Sequence, residues 1–441
     1  MIVVTGAAGF IGSCMIQKLN EAGYADVLAV DDFTRPDKQR NVDNKQLWGQ
    51  VHRNNFIRWL ERHHAEVDAV IHLGARTDTT ELSTAIFDEL NLEYSRALWM
   101  LCSGFQIPFL YASSAATYGL GELGYSDDHT LIPQLRPLNP YGQSKQDFDV
   151  WVLETTAPPG PPVKGGRSRG HQEASATPES SSATSPQPST IQSPPFMGGL
   201  GGANATSADK VVSPFESAGE TSPPPSTIQS PPFTGGLGGA NATSANEVAL
   251  PFKSSSDTSP RPSTIQSPPF TGGPGGAAPP HWAGFKFFNV YGPNEYHKGR
   301  MASVIFHTVR QIKATGAMNL FRSHRPDFTD GGQRRDFIYV KDVVDVLFYF
   351  LEKKPANAIY NLGTGQSRTF LDLATNTFQV LGVEPNISFV DTPLDIRDTY
   401  QYFTEADMRK LITAGYERPF HTLEAGISDY VQRYLREEII W

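Results

Sequence analysis

The sequence lacks several features that would assign it to a specialised class of protein. Two cysteines, Cys14 and Cys102, occur among 441 residues, with neither metal-ligand spacing nor a disulfide-framework pattern. No apolar run approaches the ~20 residues of a membrane span, and we see no secretory signal before the first apolar run. Lys and Arg number 37 against 46 Asp and Glu, which leaves no basic stripe for nucleic acid. We therefore expect a cytoplasmic protein that holds no metal and binds neither membrane nor nucleic acid.

Apolar side chains are scarce in residues 157–280, which hold 23 of the 34 prolines and 17 of the 39 glycines. The octapeptide Ser-Thr-Ile-Gln-Ser-Pro-Pro-Phe begins at Ser189, Ser226 and Ser263, a spacing of 37 each time. Each repeat offers too few apolar residues to give neighbouring repeats a shared core. We predict that this insertion is a disordered loop, with a Pro-rich docking segment as the alternative.

The remaining 317 residues alternate short apolar runs with helical patterns. The predicted strands are Ile2–Val4, Val27–Val30, Ala69–Leu73, Phe109–Tyr111 and Lys286–Val290. This alternation predicts an α/β fold, a doubly wound parallel sheet of the Rossmann type with ligand sites at the carboxyl ends of its strands. The insertion then falls in a helix-to-strand loop at the opposite edge of the sheet.

We expect two domains around this insertion. The dinucleotide-binding domain comprises residues 1–156, 281–292 and 336–364. A smaller substrate-binding domain comprises residues 293–335 and 365–441.

A glycine-rich turn, Gly6-x-x-Gly9-x-x-Gly12, follows the first strand and opens a helix. Small residues let the backbone approach a dinucleotide pyrophosphate, and the helix N-terminus presents free N–H groups to the anion. Asp31 ends the second strand, where a carboxylate accepts hydrogen bonds from the ribose of NAD. Three cations close by in sequence could hold the 2′-phosphate of NADP instead: Arg35, Lys38 and Arg53. The residues alone therefore leave NAD and NADP open.

Tyr141-Gly-Gln-Ser-Lys145 lies on a predicted helix, with the phenol and the ammonium one turn apart on the same face. The pKa of a free tyrosine is about 10, and a nearby ammonium and an oxidised nicotinamide ring both lower it. Ser114, at the end of the fourth strand, can hydrogen-bond the same substrate oxygen. These three groups predict reversible hydride transfer at a carbinol carbon.

This combination resembles the extended short-chain dehydrogenase/reductase family. Further segments are similar to one group within it, the ADP-L-glycero-D-manno-heptose 6-epimerases: Tyr111–Gly119, Phe288–Pro293, His297–Ser303, Arg335–Val340, Tyr360–Gly365 and Tyr400–Asp407. The resemblance covers essentially all of the chain outside the insertion. The segments His297-Lys-Gly-Arg-Met-Ala-Ser303 and Tyr400-Gln-Tyr-Phe-Thr-Glu-Ala-Asp407 are specific to that group rather than general to the superfamily.

The resemblance implies an enzyme that uses tightly held NADP to oxidise C6 of the heptose in ADP-D-glycero-D-manno-heptose and returns the hydride to the other face, for lipopolysaccharide inner-core synthesis. It implies two catalytic bases, Tyr141 and Lys298, one for each face of C6, with Ser114 assisting. It also implies a homo-oligomer, with a pentamer as one candidate.

The resemblance tips the cofactor toward NADP and supplies most of the expected contacts. Together with the glycine turn and the end of the third strand, the cofactor-binding residues are expected to be Gly6, Gly9, Phe10, Ile11, Gly12, Asp31, Asp32, Lys38, Arg53, Gly74, Ala75, Asn91, Lys145 and Val290. The expected substrate-side residues are Asn289, Arg300, His307, Phe321, Arg322, Ser323, His324, Arg335 and Tyr400. Arg300 stands where we expect a small residue, so its substrate contact is left open.

Several rival functions are compatible with parts of this pattern. A UDP-hexose 4-epimerase shares the same catalytic groups, whereas a 4,6-dehydratase normally has an acidic pair where Ala115 and Ala116 follow Ser114. A non-catalytic redox sensor on the same fold has no need of the base formed by Tyr141 and Lys145. A scaffold acting through its insertion would keep its function in a Tyr141→Phe variant.

Overall fold

The computed structural model describes residues 1–79, 81–157, 279–397 and 400–441. The predicted disordered loop therefore lies outside the described residues, apart from Ala157, Pro279 and Pro280 at its ends. The described strands are β1 (Ile2–Thr5), β2 (Val27–Asp31), β3 (Gly49–His52), β4 (Ala69–His72), β5 (Phe109–Ser114), β6 (Trp282–Phe287), β7 (Asn289–Tyr291), β8 (Met318–Phe321), β9 (Arg334–Tyr339), β10 (Ala358–Leu362), β11 (Ser367–Thr369) and β12 (Ile387–Val390). The described α-helices are α1 (Phe10–Glu21), α2 (Pro36–Gln39), α3 (Arg53–His63), α4 (Thr84–Phe87), α5 (Tyr94–Gly104), α6 (Pro140–Thr156), α7 (Val304–Thr315), α8 (Val340–Lys353), α9 (Phe370–Leu381), α10 (Leu394–Arg397), α11 (Arg409–Thr413) and α12 (Leu423–Tyr430).

A seven-stranded parallel sheet with the order β10-β6-β5-β4-β1-β2-β3 forms the centre of the fold. Alternate residues of β1 point to opposite faces, as a strand requires. Val4 belongs to a buried cluster with residues of α1 and α8, and Val3 to a second cluster with residues of α3, α5 and α6. Helices thus cover both faces, which confirms the predicted doubly wound sheet.

The chain leaves the large sheet at Phe288. The Phe288 amide donates to the Leu362 carbonyl (3.1 Å), and the next residues form β7, which pairs with β9 in a three-stranded sheet completed by β11. The predicted single strand Lys286–Val290 is therefore wrong. It is two strands in different sheets, because the backbone turns from one set of partners to the other at this residue.

The described residues at the two ends of the insertion lie at the amino-terminal edge of the large sheet. The Phe109 amide, at the start of β5, donates to the carbonyl of His281, and β6 begins one residue later. Ala157 directly follows α6. The described ends of the insertion therefore agree with the predicted helix-to-strand position. No helix among the described residues is long and apolar enough to cross a bilayer.

Candidate active site

The glycine turn after β1 forms a tight cradle at the start of α1. Gly6 has a φ of +67°, and a Cβ there would lie 2.7 Å from the Gly74 backbone. A Cβ on Gly12 would lie 2.0 Å from the Gly6 carbonyl oxygen. Gly9 caps α1 without a side-chain hydrogen bond, and the first turn carries no acidic residue. Free amides and an unblocked backbone surface fit the pyrophosphate of a dinucleotide.

We expect Gly12→Ala to damage this cradle, because its nearest neighbours are backbone atoms that cannot rotate away. The cost should be about 1–3 kcal/mol of stability, with a large loss of copurifying nucleotide. Denaturant unfolding and the ratio of absorbance at 260 to 280 nm measure the two effects. Gly104→Ala is the matched control, since a Cβ at that helical position meets nothing within 4 Å. Full nucleotide content in Gly12→Ala would contradict the assignment.

Two carboxylates and two cations meet at the carboxyl end of β2. The Asp31 carboxylate accepts from the Ala8 amide (2.9 Å) and from Lys38 Nζ (2.6 Å). Arg53 Nη2 lies 3.3 Å from Asp32 Oδ2. Hydrogen bonds from Thr34 hold the pKa of Asp32 down at about 2. The structure thus brings Asp31, Asp32, Lys38 and Arg53 together beside the glycine turn, with Asp31 already bonded to protein groups.

The predicted catalytic groups Ser114 and Tyr141 also meet. Ser114 ends β5, Tyr141 lies in the first turn of α6, and the Ser114 side chain lies close enough to the phenol to influence its pKa. Lys145 follows one turn later, and its Nζ donates to the Ala112 carbonyl (2.8 Å). Burial raises the pKa of Tyr141, opposed by the Ser114 hydrogen bond. The lowered phenol pKa expected from Lys145 together with an oxidised nicotinamide ring stays a prediction, because the shift seen here is due mainly to burial.

Lys298 lies beside the glycine turn, in a 3₁₀ segment from Tyr296 to Met301. Its Nζ is 5.1 Å from the centroid of the Phe10 ring, which opens α1. Burial lowers the pKa of Lys298, opposed by the charge of Glu295. A partly desolvated amine can serve as a general base near neutral pH. The structure therefore places the Lys298 amine beside the first turn of α1.

The segment that carries Lys298 is fastened to the glycine turn by residues that sequence analysis missed. Asn41 Nδ2 donates to the carbonyls of Ala8 (3.0 Å) and Asn294 (3.1 Å). Asn294, at a φ of +74°, donates in turn to Ser13 Oγ of α1 (3.0 Å). The available sequence signal was an asparagine directly after Tyr291-Gly-Pro293, because asparagine adopts positive φ more readily than most residues. These bonds fix the position of Lys298 relative to the cofactor cradle.

Arg300 bridges from the Lys298 segment to the loop after β4. Its Nη2 lies 3.3 Å from Asp78 Oδ1, and the guanidinium is about half exposed. His307 hydrogen-bonds the backbone of Arg300 and thereby supports the same segment. Burial lowers the pKa of His307. Both predicted substrate residues therefore lie at the border of the cleft, with contacts to the protein itself.

Phe321, Arg335 and Tyr400 converge in one aromatic and cationic cluster. The guanidinium carbon of Arg335 lies 5.4 Å from the Tyr400 ring centroid and 5.6 Å from that of Phe370. The rings of Tyr400 and Phe321 meet edge to face at 5.7 Å. A guanidinium held in this way can bind a diphosphate through paired hydrogen bonds.

Other predicted residues have protein partners. Arg322 pairs with Asp391 (3.0 Å), Ser323 Oγ donates to the Arg325 carbonyl (2.9 Å), and His324 Nε2 accepts from the Thr392 amide (3.1 Å). These three residues follow β8 and shape the loop beside Phe321.

Asn91 has a positioning geometry. It is buried, it bonds the backbone amide and carbonyl of Arg76 (2.7 and 3.0 Å), and it donates to Ser144 Oγ of α6 (3.0 Å). Gly74 donates its amide to Thr5 Oγ1 (3.2 Å), which holds the loop after β4 against β1. The contacts described above do not involve four of the predicted residues: Ile11, Ala75, Asn289 and Val290.

A glycine cradle at a helix N-terminus, a doubly wound parallel sheet and a Ser, Tyr and Lys set at one edge define a short-chain dehydrogenase/reductase. The chain belongs to the NAD dependent epimerase/dehydratase family, whose model matches residues 2–167 and 281–363. The family resemblance noted in the sequence is thereby confirmed, and the protein is an enzyme of the epimerase class.

Curated relatives match over nearly the whole chain. An ADP-L-glycero-D-manno-heptose-6-epimerase of Fusobacterium nucleatum subsp. nucleatum is 33% identical over 448 residues, covering 99% of each chain. One from Nitratidesulfovibrio vulgaris is 36% identical over 437 residues, covering 99% of this chain and 98% of its own.

Solved structures support the fold. The Helicobacter pylori ADP-L-glycero-D-manno-heptose-6-epimerase has a TM-score of 0.59 at 19% identity, covering 98% of this chain and 94% of its own. A Thermus thermophilus UDP-glucose 4-epimerase complex with NAD has a TM-score of 0.58 at 17% identity, covering 99% of both chains.

Proposed function

We propose that this protein inverts C6 of the heptose in ADP-D-glycero-D-manno-heptose, giving ADP-L-glycero-D-manno-heptose, in the cytoplasm, for the inner core of lipopolysaccharide. The observation that carries the proposal is the position of two ionisable side chains. Tyr141 lies beside Ser114 at the end of β5, and Lys298 lies over Phe10 at the start of α1. The names of the curated relatives support the substrate.

Bound NADP would supply the acceptor and donor of the C6 hydride. The glycine turn would hold its pyrophosphate, and the groups at the end of β2 would hold its adenosine end. In one substrate orientation, Tyr141 would take the proton of the C6 hydroxyl as the alcohol is oxidised. In the other orientation, Lys298 would give a proton to the ketone oxygen as it is reduced, and the two roles exchange in the reverse reaction. The lowered pKa of Lys298 favours the neutral amine that a base requires.

The cluster of Phe321, Arg335 and Tyr400 is suited to the nucleotide part of the substrate. Aromatic rings stack on the adenine ring of a nucleotide, and a guanidinium binds phosphate oxygens bidentately. Anchoring the ADP there leaves the far end of the heptose free to reach the cleft between the two bases.

Incubation with ADP-D-glycero-D-manno-heptose, followed by NMR of the C6 configuration, tests the proposal. We expect a mixture of the two C6 epimers with no net change in redox state. Inertness toward this substrate, combined with epimerisation of UDP-galactose, would replace the proposal with a UDP-hexose 4-epimerase. The Gly12→Ala variant serves as the cofactor-depleted control.

The preference for NADP rests on the cations beside β2. Asp31 already bonds the Ala8 amide and Lys38, so it is poorly placed to accept a ribose diol, whereas Lys38 and Arg53 suit a 2′-phosphate. Removing one charge-assisted hydrogen bond costs roughly 1.5–3 kcal/mol. We expect Arg53→Ala to weaken NADP at least about tenfold and to change NAD little.

Titration of nucleotide-stripped protein, together with mass spectrometry of the nucleotide released from untreated protein, measures this preference. Arg58→Ala, an exposed change on the same helix, is the control. Equal losses for both nucleotides in Arg53→Ala would contradict a role in reading the 2′-phosphate.

A further inference from the structure

A fully buried ion pair lies beneath the catalytic groups and takes no part in the reaction described above. Asp149 of α6 and Lys286 of β6 have 0% exposed side chains, and Lys286 Nζ lies 2.6 Å from Asp149 Oδ2. Desolvating two charges is costly and often exceeds the gain from their attraction. A buried pair is therefore weak evidence for stability alone, and its contacts indicate another role.

The contacts of the pair lead to Ser114. Asp149 accepts hydrogen bonds from Ser113 Oγ (2.6 Å) and from the Tyr111 hydroxyl (3.1 Å), both on β5. Lys286 Nζ donates to Thr117 Oγ1 (2.8 Å), and Thr117 Oγ1 donates to the Ser114 carbonyl (2.8 Å). The pair thus fixes the end of β5 from below, on both sides of Ser114.

The pair also faces Lys145. Asp149 lies four residues after Lys145 on α6, so the two side chains share one helix face. Burial lowers the pKa of Lys145 to about 8, and the charge of Asp149 opposes that decrease. A cationic Lys145 is the form that lowers the phenol pKa of Tyr141 when substrate binds.

We propose that Asp149, paired with Lys286, is a positioning residue that fixes Ser114 and keeps Lys145 protonated inside the protein. The catalytic consequence rests on the proposed function. The electrostatic part does not, because it concerns the protonation of one buried lysine in the folded chain.

The other ionisable groups that face these residues are two histidines, three tyrosines and Lys410, whose pKa burial lowers and which is present in every variant below. Burial holds the pKa of His72 on β4 at about 3 and that of His129 at about 4. Burial raises the pKa values of Tyr111 and Tyr118 well above their ordinary range, and that of Tyr141 above it. Asp149→Asn removes the partner of Lys286 in both backgrounds of the first test below, so the titration of Lys286 cancels when the two backgrounds are compared.

A stability cycle of wild type, Asp149→Asn, Lys145→Met and the double variant tests the proposal without substrate. The folded pKa of Lys145 lies below its unfolded value, so the stability penalty of charging Lys145 is complete below about pH 8 and fades as pH rises. Asp149→Asn should enlarge that penalty. The excess Tm loss at pH 7 over that at pH 9.5 should be about 3 °C larger with Lys145 present than in the Lys145→Met background.

An excess loss at pH 7 that is the same in both backgrounds would overturn the proposal, whatever the substrate. If Asp149→Asn does not fold, the same cycle is run from Asp149→Asn with Lys286→Met, which leaves no lone buried charge. A wild type active on the heptose supplies a second readout. As the pH is raised, the kcat of Asp149→Asn should then fall at a lower pH than the kcat of wild type. Lys286→Arg, which keeps the ion pair, should retain the wild-type dependence of kcat on pH. An unshifted profile in Asp149→Asn would likewise overturn it.

Discussion

Tyr141→Phe is expected to lower kcat for epimerisation by about a hundredfold to ten-thousandfold while leaving bound nucleotide unchanged. The variant loses only the phenolic oxygen, which accepts the hydroxyl proton in one orientation of the substrate. The ring that lies 6.4 Å from Phe87 stays in place, so the fold and the cleft should be preserved. NMR of the C6 configuration gives the rate, and absorbance at 260 nm gives the nucleotide content.

Tyr349→Phe is the matched control for this substitution. It also removes one phenolic hydrogen bond, to the Ala414 carbonyl (3.1 Å), but at the opposite end of α8 from the cleft. We expect it to keep wild-type turnover. If Tyr141→Phe retained more than about a tenth of wild-type kcat, the assignment of Tyr141 as a base would fail.

Lys298→Met should produce a loss of similar size, again about a hundredfold or more, with a different signature. A methionine can retain the contact with Phe10 but cannot transfer a proton. One proton-transfer group then remains, so oxidation should persist for one C6 epimer and vanish for the other. Tyr141→Phe should show the reverse preference.

Single-turnover absorbance of reduced nicotinamide, measured with each pure epimer, separates these outcomes. Lys353→Met, an exposed lysine at the end of α8, controls for the loss of a charge. If both variants lost oxidation of the same epimer, the proposal of one base for each face would be wrong.

Strands that end at a functional motif are easier to predict from the sequence than the strands at the two edges of the sheet. The strands before Gly6, Asp31, Gly74 and Ser114 were identified because an apolar run stops at a polar or glycine motif. By contrast, β3 is a short, partly exposed strand at the sheet edge, and β10 overlaps the segment Tyr360–Gly365, which we recognised only as a motif. Pattern alone gives no partner for either strand.

The interior charges show where sequence reasoning stops. Lys286 is a single cation in an apolar run, and its partner Asp149 lies 137 positions away along the chain. The packing of α6 against β5 and the parallel pairing of β5 with β6 together bring the two side chains into contact. The pKa of Tyr141 is a second example. Burial of the phenol raises this pKa, and the spacing between Tyr141 and Lys145 in the sequence does not reveal that burial.

The turn of the backbone at Phe288 has a mechanical consequence. One residue separates the strand beside Ser114 from the strand that leads to Lys298, and Asn294 then ties that path back to the first helix. A frame joined so closely gives the two bases little room to travel independently. In the proposed mechanism, the sugar must therefore turn over between the two bases to present both faces of C6. The freedom of the sugar to rotate, rather than a hinge in the polypeptide, would then govern how quickly the two epimers interconvert.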